Sequence, residues 1–110
     1  MTRLYFNAKE ARDFLIERGF VYTLRRARNR YFEPIVATYY DSNLKQTIEI
    51  GRVKMNKIKD VTKKEDVVEY LKYSGFNELD TWWNTALYLN GNDLILYEVK
   101  VWKLKLILVM

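Results

Sequence analysis

GRVKMNKIKDVTKKEDVVEYLKYSGFNELDTWWNTAL, residues 51–87, changes its hydrophobic period twice and so decides the fold. Its first residues continue a strand that the pattern places over 44–59. Ile48, Ile50, Val53, Met55 and Ile58 all face inward only if the alternation shifts near Gly51, so a bulge or bend is expected there. From Thr62 the period becomes helical. Thr62 and Glu65 have the spacing of a capping box, Val67, Val68 and Leu71 form an apolar face, and Ser74-Gly75 ends the helix. Asn77 and Asp80 then open a third helix, with Trp83 and Leu87, and also Leu79 and Trp82, on its apolar side.

Reading outward, residues 2–6 form a short strand. Asn7 and Glu10 cap a first helix over 8–18, which Gly19 stops. Residues 20–26 are β-branched and aromatic and read as a strand. Pro34 precedes another, IVATYY, which Asp41-Ser42-Asn43 turns. The closing segment DLILYEVKVWKLKLILVM alternates at Val99 and Val101, then again at Leu104 and Leu106. It is one long strand or two joined by a bend. The order β-α-β-β-β-α-α-β gives an α+β class. The expected architecture is a small β-barrel of about 5–6 mostly antiparallel strands with three short flanking helices. One domain over 1–110 fits the length.

Composition removes several chemistries. The chain has no cysteine and no histidine, so thiolate and imidazole metal sites and the commonest general base are absent. No metal and no cofactor are expected. No apolar run approaches the roughly 18 residues of a membrane span, and MTRLYFNAKEARDF does not read as a secretory signal. A cytoplasmic address follows as the default. The net charge of +5 is lopsided. Residues 1–60 hold thirteen Lys/Arg against seven Asp/Glu, whereas 61–110 hold six against seven. A basic sector on a small domain points to a polyanionic partner.

The stretch 51–87 also resembles the second half of the ASCH family, a branch of the PUA-like barrels. The residues that carry the likeness are Val53 to Thr62, matching a strand-end phrase, and Gly75-Phe76-Asn77-Glu78-Leu79, matching a helix-opening phrase. Thr23 and Arg25 fall on the Thr and Arg of the family's strand motif. Phe20 stands at its Lys position, and a Gly-Asp pair usual before a middle strand is missing. The resemblance implies a PUA-like barrel and, from its relatives, binding of structured RNA. One branch hydrolyses the acetyl amide of acetylcytidine with that Lys, the Thr and a Glu. Here Ser74 stands for the Glu, so only Thr23 survives, and a threonine without a base is a poor nucleophile.

The expected function is therefore non-enzymatic binding of structured RNA, rRNA or tRNA, in a ribosome- or translation-associated role, with ribosomal proteins as further partners. Arg25, Arg26, Arg28 and Arg30 would grip phosphates, because guanidinium forks match phosphate oxygens. Tyr22 and Tyr31 would stack unpaired bases. Arg52, Lys54, Lys57 and Lys59 form the polar face of the long strand and would join the same basic sector. Two rival readings stand beside this one. An amidohydrolase or ribonuclease of the ASCH type would use Thr23 and Arg25 in a cleft. A protein-interaction module would use the Trp82/Trp83 helix.

Overall fold

The computed structural model describes residues 1–26 and 31–105. Strands β1 (Thr2–Tyr5), β2 (Phe20–Arg26), β3 (Ile35–Asp41), β4 (Gln46–Val61) and β5 (Leu94–Leu104) are joined by helix α1 (Lys9–Arg18), a 3₁₀ helix (Lys64–Tyr73) and helix α2 (Leu79–Asn90). The element order is the one the hydrophobic pattern predicts. The five strands form one sheet in the order β1-β3-β4-β5-β2. Three ladders are antiparallel and β1 pairs with β3 in parallel. No backbone ladder joins β1 to β2, so the sheet is open between its two edges.

The expected irregularity at Gly51 is present, and it is one of three. Ile50 is an extra residue between Thr38–Glu49 and Ala37–Gly51 pairs. Trp102 is extra in β5, between Val101 and Lys103, and Ile58 is extra in β4. Each bulge bends its strand and increases the local twist. Gly51 is required by close approach, since a Cβ there would stand 2.4 Å from the Lys103 carbonyl oxygen. The bends bring Leu4, Phe6, Leu15, Val21, Ile50, Val53 and Val99 into one buried core.

The helices depart from the sequence reading at their starts. Asn7 does not cap α1; Ala8 occupies the cap in an extended conformation without a side-chain bond. The second helix is 3₁₀, ten residues long. Val67, Tyr70 and Tyr73 recur every third residue, which a 3₁₀ helix keeps on one face and an α-helix would turn about 120° away over two steps of three. Val67 is fully buried, while Val68, expected in the core, is exposed. Asp66 rather than Glu65 closes the start, accepting bonds from the Thr62 N–H, the Thr62 hydroxyl and the Lys63 N–H. Those donors hold its carboxyl below the usual carboxylate range. Glu78, not Asn77, precedes α2, because Ser74 closes the preceding turn. Its hydroxyl donates to the Leu71 carbonyl and accepts from the Phe76 N–H. Trp82 and Ala86 are the buried residues of α2, and Trp83 is only partly covered.

Gly75 fixes how these helices meet α1. Its φ is +87°, and a Cβ would lie 2.2 Å from the Glu10 carbonyl oxygen. Only glycine tolerates both the left-handed backbone and that approach.

Candidate functional site

Where the sheet stays open, a cleft of about 130 Å³ forms between the end of β1, the end of β2, the first turn of α1 and the last turn of α2. Tyr5, Asn7, Thr23, Arg25, Thr85 and Asn90 supply its polar wall, and Phe6, Phe76 and Trp82 its apolar floor. Alternation along β2 puts Val21, Thr23 and Arg25 on the same side, so the core strand delivers Arg25 to the cleft.

Arg25 bridges the two sheet edges. Its Nη1 donates to the Tyr5 carbonyl of β1, and its Nε donates to Thr23 Oγ1 at 3.2 Å. The guanidinium lies over the Phe6 ring, 4.5 Å from its centroid. No described carboxylate pairs with it. The residue as a whole is half-buried, and the surrounding protein partly desolvates its guanidinium. That desolvation pulls its pKa down from the ordinary guanidinium value to about 10, with Tyr31 opposing the shift. At neutral pH the cleft therefore contains a charged, uncompensated cation. The uncapped first turn of α1 adds the positive end of its dipole to the wall. The lining has no acid, lysine, histidine or cysteine, so the cleft can bind an electron-rich group but offers Thr23 no base.

Of the other residues the sequence singles out, Arg26 is at the rim, donating to the Asn90 carbonyl. Arg28 and Arg30 lie outside the described residues. Tyr31 approaches Tyr97 edge-on at 5.8 Å. Tyr22 is committed elsewhere. Its ring stacks on Tyr70 at 5.2 Å and contacts Tyr73 and Phe20. Its hydroxyl donates to Glu98, and burial together with that bond raises its pKa. Phe20 belongs to this aromatic cluster, and Ser74 is fully buried; neither lines the cleft.

The second basic run does not merge with the first. Arg26 is level with Leu94 and Val61 in the sheet. Arg52 is nine residues back along β4, about 30 Å of strand. Lys57 pairs with Asp60 at 3.0 Å, and Lys59 lies over the Tyr70 ring. Arg52 and Lys54 project midway along β4, opposite Lys103 and Lys100.

Thr85 and Asn90 escaped the sequence reading because nothing local marks them, and Asn7 was read there only as a helix cap; the β1–α1 link and α2 bring the three together. Trp102 and Lys103 had a weak signal, the broken alternation between Val101 and Leu104. No group of acids among the described residues could hold a metal ion, and no helix among them is long and apolar enough to cross a membrane. Comparison with protein-family models, curated proteins and solved structures returns no match to this chain.

Proposed function

We propose that this chain is a non-enzymatic RNA-binding domain, a PUA-like barrel of the ASCH kind, acting on rRNA or tRNA in translation. The observation that carries the reading is Arg25, a buried cation with no acid beside it, opening into a cleft with neutral hydrogen-bonding groups. A charge held without a counter-ion costs stability; an anionic or carbonyl-rich ligand would repay that cost. A cavity of about 150 Å³ is needed to hold a benzene ring, so a cleft of about 130 Å³ would take the polar edge of one unpaired base, set against Arg25 and the amides of Asn7 and Asn90, with the rest of the base in its open mouth. Arg26 and the arginines that follow it would hold the flanking phosphates. The bulges that curl the sheet and the Arg25 bridge between its edges favour the barrel description.

Binding is favoured over amide hydrolysis because Thr23 has no base within the cleft and its hydroxyl already accepts from Arg25. Trp82, at 3% exposed, belongs to the core and is not available to a docking partner.

The test is fluorescence anisotropy with labelled tRNA and an rRNA fragment, comparing the wild-type chain with Arg25→Met. The reading expects binding at low salt that weakens at least tenfold in the variant. Absence of binding to either RNA at low salt would refute it.

A further inference from the structure

The outer face of the sheet, away from the cleft, gathers more cations than the acids beside them neutralise. Arg52 is directly opposite Lys103, and Lys54 directly opposite Lys100. Like charges in directly opposed positions destabilise a sheet, and here two such pairs are adjacent. Arg3 extends the first row across β3 through Val36. Arg3, Arg52, Lys54 and Lys103 make no ion pair with any described residue. Two acids are nearby. Glu49 is taken by Lys105 at 2.8 Å, and Glu98 accepts from Tyr22 with Lys100 at 4.0 Å. Lys105, then Arg3 and Arg52, hold the Glu49 carboxyl below its usual range.

An indole is set among them. Trp102 is the bulged residue of β5, is 51% exposed, and has the Arg52 guanidinium 5.8 Å from its ring centroid. Gly51 makes the bulge possible, because β4 approaches the Lys103 carbonyl too closely for a side chain. Bulges are a means of re-aiming a side chain, and this one turns an aromatic ring onto the charged face. Beside it a groove lined by Val36, Glu49, Arg52, Lys103, Leu104 and Lys105 crosses the sheet, its Glu49 paired with Lys105.

We infer that this face is a second nucleic-acid surface, on which a single RNA strand lays its phosphates along Arg3, Arg52, Lys103 and the Lys54/Lys100 pair and stacks one base on Trp102. The inference rests on the RNA-binding reading and adds to it the form of the ligand and a site separate from the cleft. The row from β1 to β5 crosses three strand spacings, about 14 Å, long enough for successive phosphates of an extended strand. A duplex keeps its bases stacked inside and would leave the indole unpartnered. An acidic peptide would meet the cations and do the same. Stacking platforms flanked by cations are the general solution for single strands.

The experiment titrates the full chain with a twelve-nucleotide single-stranded RNA and with its duplex, reading anisotropy and tryptophan fluorescence. The strand is expected to bind more tightly than the duplex and to quench fluorescence. Trp102→Phe should remove most of the quench, and Trp102→Ala should weaken binding about tenfold. Lys54→Glu with Lys103→Glu should weaken it further and flatten the slope of log K against log salt by about 1.4. Lys72→Glu, the same reversal on the 3₁₀ helix, should do neither. If the wild-type chain binds the strand but these outer-face variants leave affinity, slope and quench unchanged, the second surface is wrong and RNA binding at the cleft stands. Duplex bound as tightly as the strand also overturns it. No binding to any RNA at low salt overturns both.

Discussion

Arg25 carries a full charge into a site where water has been replaced by Phe6, Thr23 and a backbone carbonyl. Its folded pKa, about 10, lies below the value it has in the unfolded chain. Below pH 10 both states are protonated, so the whole desolvation cost stands across the physiological range. Arg25→Met keeps the aliphatic stem and removes that cost. Chemical denaturation should therefore find the variant as stable as the wild type, or more stable by about 1 kcal/mol, while RNA binding falls. A large loss of stability would mean that the bridge between Tyr5 and Thr23 is structural. Gly75 behaves oppositely. Gly75→Ala forces a Cβ into the Glu10 carbonyl on a left-handed backbone and should cost about 3 kcal/mol by denaturant midpoint. A loss under 1 kcal/mol would show that α1 can move away freely.

At the scale of elements, the 3₁₀ helix is the feature that propensity alone would not produce, since such runs are ordinarily short. Two contacts hold it. Tyr70 and Tyr73 pack on Tyr22 and Phe20 of β2, and Asp66 gathers three donors at its start. The Asp66 pKa is depressed in the folded chain, so its contribution is present above the unfolded value of 3.8 and is lost as pH falls through the lower, folded value. Asp66→Ala should consequently lower the urea midpoint at pH 7, and the gap from wild type should close as the pH drops below that window. A gap unchanged at pH 2 would remove the carboxylate from the account. Tyr22 illustrates how an element reassigns a residue. In sequence it is an aromatic beside an arginine cluster; in the fold the 3₁₀ helix covers its face.

For the whole molecule, the excess of positive charge in residues 1–60 does not form one sector. Arg25 faces the cleft with Arg26 at its rim, and Arg52 and Lys54 are midway along β4, reinforced by Lys100 and Lys103 from the half of the chain that is slightly acidic overall. With about five phosphates engaged on the outer face, single-strand binding should follow a log-log salt slope near −3.5. A slope near zero would indicate contacts that are not electrostatic. If translation is the setting, the native protein should co-sediment with ribosomal particles on a sucrose gradient and leave them on RNase or high-salt treatment. Migration as a free small protein under all conditions would count against a ribosomal role.

The sequence by itself determined the element order, the bulge beside Gly51, the glycine stop after α1 and the presence of two basic runs. These depend on local periodicity and local backbone geometry, which the chain carries in runs of a few residues. Only the tertiary structure decided that the second helix is 3₁₀, that Trp82 rather than Trp83 is buried in the core, and that Asn7, Thr85 and Asn90 meet around Arg25. It alone separated the two basic runs and set Trp102 among cations from three strands. Each of these is a matter of strand order and register, and register is fixed by side chains distant in the chain that must share one core.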